Sequence, residues 1–142
     1  MIKLRIGITL CLITTSVICY GQQLNVLTDT VKWNASELKD LQSDTTLTNA
    51  SKFVTYGDSK IVWTQNSEYG ETVMTYVPDS TAGDWNASGY FSVYCSKNGK
   101  SRVFRFESHS DGNKVIVSFT NPDGSIRSLE FKLSEVGILN NQ

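Results

Sequence analysis

From residue 89 onward, apolar and polar residues alternate along the chain with a period of two. Residues 89–96 put Phe91, Val93 and Cys95 on one side, and residues 101–108 put Phe104 and Phe106 there, with Arg105 and Glu107 opposite. Residues 114–120 align Val115, Val117 and Phe119, and residues 125–133 align Leu129, Phe131 and Leu133. A period of two belongs to β-strands, whose successive side chains point to opposite faces of the sheet. Turn chemistry separates the runs. Asn98-Gly99 supplies the two positive-φ positions of a tight hairpin, Asp111-Gly112 marks the next turn, and Asn121-Pro122-Asp123-Gly124 sets proline at the second turn position. The pattern predicts a four-stranded antiparallel meander with one apolar and one polar face.

The upstream half is less regular. Leu24–Trp33 reads as a strand carrying Val26 and Leu27. Residues 34–42 read as a short helix capped by Asn34 or Ser36, with Leu38 and Leu41 as its apolar pair. Residues 52–56 and 59–65 read as strands about a Gly57-Asp58 turn, with Ile61 and Trp63 on one face, and residues 71–77 as another strand. The segment 78–88 is rich in turn formers and reads as the longest loop. The tetrapeptide Trp33-Asn34-Ala35-Ser36 recurs as Trp85-Asn86-Ala87-Ser88, a repeat too short to signify duplication.

Together these elements predict an all-β domain of about eight short strands joined by hairpins. Neighbour-to-neighbour hairpins favour a small antiparallel up-and-down barrel, and closure would remove exposed edges. A β-sandwich is the alternative.

The first 21 residues belong to a different pattern. Lys3 and Arg5 precede an apolar run from Ile6 to Ile18, followed by Cys19 and Gly21 in the small-residue positions of an export signal. The run is about 13 residues, short of the roughly 20 that a membrane-spanning helix needs. The expectation is a cleavable signal peptide over residues 1–21 and a single domain over 22–142, with no membrane span in the mature form and a periplasmic or secreted location. A lipoprotein signal would acylate Cys19, but Ile18 stands where that motif wants a small residue.

Composition narrows the function. Loss of Lys3 and Arg5 takes the net charge from −1 to about −3, with charges scattered along the chain. No basic stripe exists to neutralise phosphates, which argues against a nucleic-acid partner. Of three cysteines, only Cys95 remains after cleavage, so no internal disulfide is expected. Cys95 keeps phase with Phe91 and Val93 and reads as a buried small apolar residue.

Size, export signal and meander resemble the small secreted lipocalin-like (calycin) domains. Their Gly-x-Trp signature occurs here only as Gly83-Asp84-Trp85, near mid-domain, whereas Trp33 on the first run has Val31 two residues before it. No functional residue is carried over. The resemblance implies a barrel whose apolar interior holds a small ligand.

A hydrolase is the third and least favoured reading, because catalytic chemistry finds little footing in the sequence. Ser108-His109-Ser110-Asp111 gathers the residue types of a triad, but adjacent residues in a tight hairpin diverge, whereas a triad needs converging elements. His109 reads as an exposed turn residue, and a lone histidine excludes metal sites that need two or more. Asp79 and Asp84 lack the alternating spacing of a calcium loop. No glycine-rich loop precedes a helix to cradle phosphate. Glu107 and Glu130 fall on the polar face, where they would serve a glycosidase only if that face lined the interior. Asn34, Asn49 and Asn86 begin Asn-x-Ser sequons, meaningful only in a eukaryotic secretory host.

The expectation is thus an exported, non-enzymatic binding protein with no cofactor and no metal. A small apolar ligand would lie among Phe91, Val93, Phe104, Phe106, Val117, Phe119 and Phe131. Alternatively, a filled interior would leave the surface to bind an extracellular protein or glycan, with Trp85, Tyr90 and Tyr94 as an aromatic platform.

Overall fold

The computed structural model describes residues 23–139; the expected signal peptide lies outside them. Nine strands follow in chain order: β1 (Thr30–Asp40), β2 (Thr45–Tyr56), β3 (Ile61–Ser67), β4 (Gly70–Tyr76), β5 (Pro78–Ala82), β6 (Tyr90–Lys97), β7 (Lys100–His109), β8 (Gly112–Thr120) and β9 (Ile126–Ile138). One helical turn, α1 (Trp85–Ser88), precedes β6. The strands form a single antiparallel sheet in the order β4-β3-β2-β1-β9-β8-β7-β6-β5, curled into a half-barrel.

The meander β6–β9 stands as the alternation predicts. Asn98 and Gly99 both adopt positive φ (54° and 73°) at its first hairpin. Upstream the structure differs. β1 begins at Thr30, because residues 25–29 close a turn in which Asp29 N–H donates to Asn25 O at 2.7 Å and Asn25 N–H to the Asp29 carboxylate at 2.8 Å. The expected helix over 34–42 is strand: β1 runs to Asp40 between β2 and β9. An irregularity between Ala35 and Glu37 resets its phase, so that Leu38 stands opposite Phe131 on the inner face. The long loop 78–88 holds β5 and α1.

β4 and β5 are successive stretches of one extended run, interrupted at Val77. The first pairs with β3 and the second with β6, so the two ends of the sheet are linked through the chain itself. The barrel expected to close by hairpins alone is therefore a nine-stranded half-barrel with two short free edges.

The concave face is packed with aromatic side chains. Trp33, Phe53, Phe91, Phe104, Phe106 and Phe131 are fully buried. Phe53 lies 5.1 Å from Phe131 and 5.4 Å from Trp63, ring centre to ring centre, and Trp33 lies 4.3 Å from Phe106. Trp33 Nε1–H donates to the buried Thr55 hydroxyl at 3.0 Å, which satisfies both groups without water. Cys95 is buried in this core, and desolvation pushes its thiol up to about 11, the state of an inert structural cysteine.

Candidate functional site

Two adjoining clefts lie on the convex face, across β7, β8, β9 and β1. One, of about 290 Å³, is lined by Lys39, His109, Lys114, Glu130 and Lys132 among others. The second, of about 210 Å³, is lined by residues 88–90 with Arg105, Glu107 and His109. Strand register builds the groove. Glu107, Lys114, Lys132 and Glu37 stand side by side in one row across the four strands, and Arg105, Ile116, Glu130 and Lys39 in the next. These are the polar phases of the alternation whose apolar phases fill the core.

Glu107 is the centre of the groove. Arg105 Nε–H donates to its Oε1 at 2.7 Å, His109 Nε2 lies 2.6 Å from its Oε2, and Lys114 Nζ stands 3.9 Å away. Lys114 reaches on to Glu130 Oε2 at 3.4 Å and so couples the two carboxylates across β8. Burial alone would raise the Glu107 carboxyl, but hydrogen bonds from His109 and Arg105 and the charges of Arg105 and Lys114 outweigh it and hold the group below the usual carboxylate value. His109, expected in a turn, ends β7 and is partnered by Glu107 rather than by a serine. Tyr90 borders the groove. Its ring lies under the Arg105 guanidinium at 4.2 Å and over Gly83, where a Cβ would come within 2.5 Å of the ring.

The carboxylates of Asp40, Glu107, Asp123 and Glu135 are all held low, Asp40 by the hydrogen bond from Arg127 and Glu135 by that from Lys32. A carboxyl whose native pKa lies below its unfolded value adds stability above the unfolded value, about 3.9–4.3, and that stability is lost as pH falls through the native value. Urea midpoints should stay level from neutral pH to about pH 5 and fall below about 4.3. Glu107→Gln should remove part of the fall. A decline already under way at neutral pH, or none down to about pH 3, would contradict this account.

The sequence-derived candidates divide. Phe91, Val93, Phe104, Phe106, Val117 and Phe131 are fully buried against one another and against Trp33, Phe53, Trp63 and Tyr76, which the sequence did not single out as partners. Phe119 is only partly buried, at the rim, with the Arg102 and Arg127 guanidinium groups 5.1 Å and 5.8 Å from its ring. Neither convex cleft is lined by any of the seven. The aromatic trio does not form one platform. Trp85 turns to the core side and meets Trp33 edge-on at 5.0 Å, whereas Tyr90 and Tyr94 alternate with core residues and face outward. Tyr94 is 41% exposed, farther along β6.

Asp84 caps α1, accepting from Asn86 N–H at 2.9 Å, and Asp79 accepts from the Ser96 hydroxyl at 2.7 Å. Among the described residues, no group of three or more potential metal ligands occurs. The groove itself escaped sequence reasoning because its members come from four strands and only the register assembles them. The signal available was the outward phase of Arg105, Glu107 and Glu130. Compared with protein-family models, curated proteins and solved structures, the chain matches none.

Proposed function

We propose that this is an exported, non-enzymatic binding module that uses its packed half-barrel as a scaffold and takes its ligand in the convex groove about Glu107. The observation that carries this reading is the charge balance of the groove. Glu37, Glu107, Asp111 and Glu130 face Lys39, Arg105, Lys114 and Lys132, four of each sign, with His109 among them. A surface with as many fixed acceptors as donors suits a neutral, hydroxyl-rich ligand, which gives and takes hydrogen bonds at each hydroxyl. A polyanion would meet the carboxylates. The expected ligand class is therefore an extracellular glycan, and the site of action periplasmic or secreted, in keeping with Lys3, Arg5 and the apolar run after them.

Titration calorimetry against a panel of neutral oligosaccharides tests the reading. A ligand found in this way should lose about tenfold in affinity or more with Glu107→Gln, since a hydrogen bond to a charged group contributes about 1.5–3 kcal/mol. Tyr94→Ala, outside the groove, should bind as the parent does. Equal binding by Glu107→Gln would remove the groove from the proposal.

One observation bears on a second reading, a small, largely apolar ligand that carries an acceptor oxygen and parts the packed set Phe91, Val93, Phe104, Phe106, Val117 and Phe131, with Phe119 at its rim. Trp63 Nε1–H is buried on the concave side with no acceptor among the described residues. Such a donor costs about 1–3 kcal/mol and would be relieved by a ligand oxygen. Native mass spectrometry of the protein from its own host, without detergent, distinguishes the two: a retained mass released on denaturation supports the interior ligand, and a bare polypeptide supports the groove.

A further inference from the structure

The two edges of the sheet are unlike. β5 carries Pro78, which has no N–H to offer, then Asp79, and its register with β6 is irregular between Pro78 and Ser80. Proline, charge and bulge are the devices that blunt natural edges. β4 has no proline and no bulge, its pairing with β3 being unbroken from Ser67↔Gly70 to Ile61↔Tyr76, and it carries a single charge, Glu71.

The hairpin fixes which backbone groups face away from β3. Glu68 and Tyr69 form a two-residue loop, so Ser67↔Gly70 is a hydrogen-bonded pair. By alternation so are Gln65↔Thr72, Trp63↔Met74 and Ile61↔Tyr76. Glu71, Val73 and Thr75 therefore turn their N–H and C=O outward. The Thr75 carbonyl accepts from Lys97 Nζ at 3.5 Å, where β6 comes alongside. No strand lies beside Glu71 and Val73. Apolar side chains gather on the same stretch: Tyr69 is 93%, Val73 56% and Val77 67% exposed, all in the outward phase.

We infer that this edge pairs antiparallel with the same edge of a second copy of the chain, with the two-fold axis beside Thr72. In that register Glu71 stands opposite the partner's Val73, and Val73 opposite the partner's Glu71. All four open backbone groups are used. The pairing ends before the segment flanked by β6. A two-fold axis at Glu71 would instead oppose two carboxylates, which destabilises a cross-strand pair. The result is one continuous sheet through two half-barrels, joined at the less blunted edge.

Sedimentation equilibrium of the purified protein over a wide concentration range should show a reversible dimer. Val73→Pro should be monomeric with an unchanged melting temperature at high dilution, because the N–H it removes points away from β3. Thr72 and the partner's Thr72 would form a non-hydrogen-bonded pair with Cα atoms about 4.5 Å apart, within disulfide range. Thr72→Cys in the chain without residues 1–21 should therefore cross-link to a covalent dimer under mild oxidation, whereas the same chain without the substitution, its remaining Cys95 buried, should not. A protein monomeric at every concentration overturns the inference, as does a dimer that survives Val73→Pro. If Val73→Pro fails to fold, the cross-link decides, and its failure to form overturns the proposal.

Discussion

Replacing Phe53 with alanine is expected to destabilise the protein by about 3–5 kcal/mol, the usual cost of emptying a large aromatic site in a core that cannot collapse. Phe53 is fully buried and has four aromatic neighbours: Trp63, Phe104, Phe106 and Phe131, at ring-centre distances of 5.4, 6.3, 6.4 and 5.1 Å. Those neighbours come from β3, β7 and β9, so the ring ties the first half of the chain to the meander across the concave face. Edge-on aromatic pairs contribute about 0.5–1.5 kcal/mol beyond area burial, and the substitution removes several together. Against a total stability of about 5–15 kcal/mol, the loss is a large fraction. Urea unfolding followed by tryptophan fluorescence measures it, with Phe53→Leu as the milder comparison. A cost under about 1 kcal/mol would mean that the interior is loosely packed, and would lend weight to the interior-ligand reading.

The second large effect is expected from Gly57→Ala, at about 1–3 kcal/mol. Gly57 has φ of +59°, and a Cβ there would lie 2.4 Å from the backbone oxygen of Leu27. A backbone carbonyl cannot swing aside as a flexible side chain can. The β2–β3 turn would have to part from residues 25–29, which deliver the buried Val26 to the core. Gly99→Ala serves as the control, because Gly99 also has positive φ (+73°) but nothing within 4 Å of the added atom. It should show only the left-handed backbone cost, about 1–2 kcal/mol or less. Equal losses for the two variants would show that the contact with Leu27 adds nothing.

Alternation from residue 89 onward, with Asn98-Gly99 and Asn121-Pro122-Asp123-Gly124 between runs, was sufficient for β6–β9, because a two-residue period and left-handed turn positions are local properties. The inward set Phe91, Val93, Phe104, Phe106, Val117 and Phe131 followed from the same phase. β1 was harder. Its irregularity at Ser36 breaks the alternation, so Leu38 and Leu41 imitate a helical spacing, and only pairing with β2 and β9 on both sides holds the segment extended. The groove about Glu107 was visible one residue at a time, as outward polar positions. That Lys114 and Lys132 share a row with Glu107 and Glu37 depends on register, which arises from hairpin geometry and packing.

The repeated tetrapeptide shows most directly where local information stops. Trp33-Asn34-Ala35-Ser36 lies in β1, whereas Trp85-Asn86-Ala87-Ser88 is a helical turn. The second copy has Asp84 before it to accept from Asn86 and Ala87 N–H, and Gly89 after it in the left-handed conformation (φ 73°). The first copy has neither, and lies between two strands that claim its backbone hydrogen bonds. An all-β chain, the meander and the identity of its apolar face were legible in the residues, because these follow from period and turn chemistry. The fate of β1, the passage of residues 70–82 from β3 to β6, and the assembly of the convex groove emerge only once the chain is folded. Each of these depends on which strands lie side by side, and non-local hydrogen bonding and burial outweigh local preferences of about 1 kcal/mol or less.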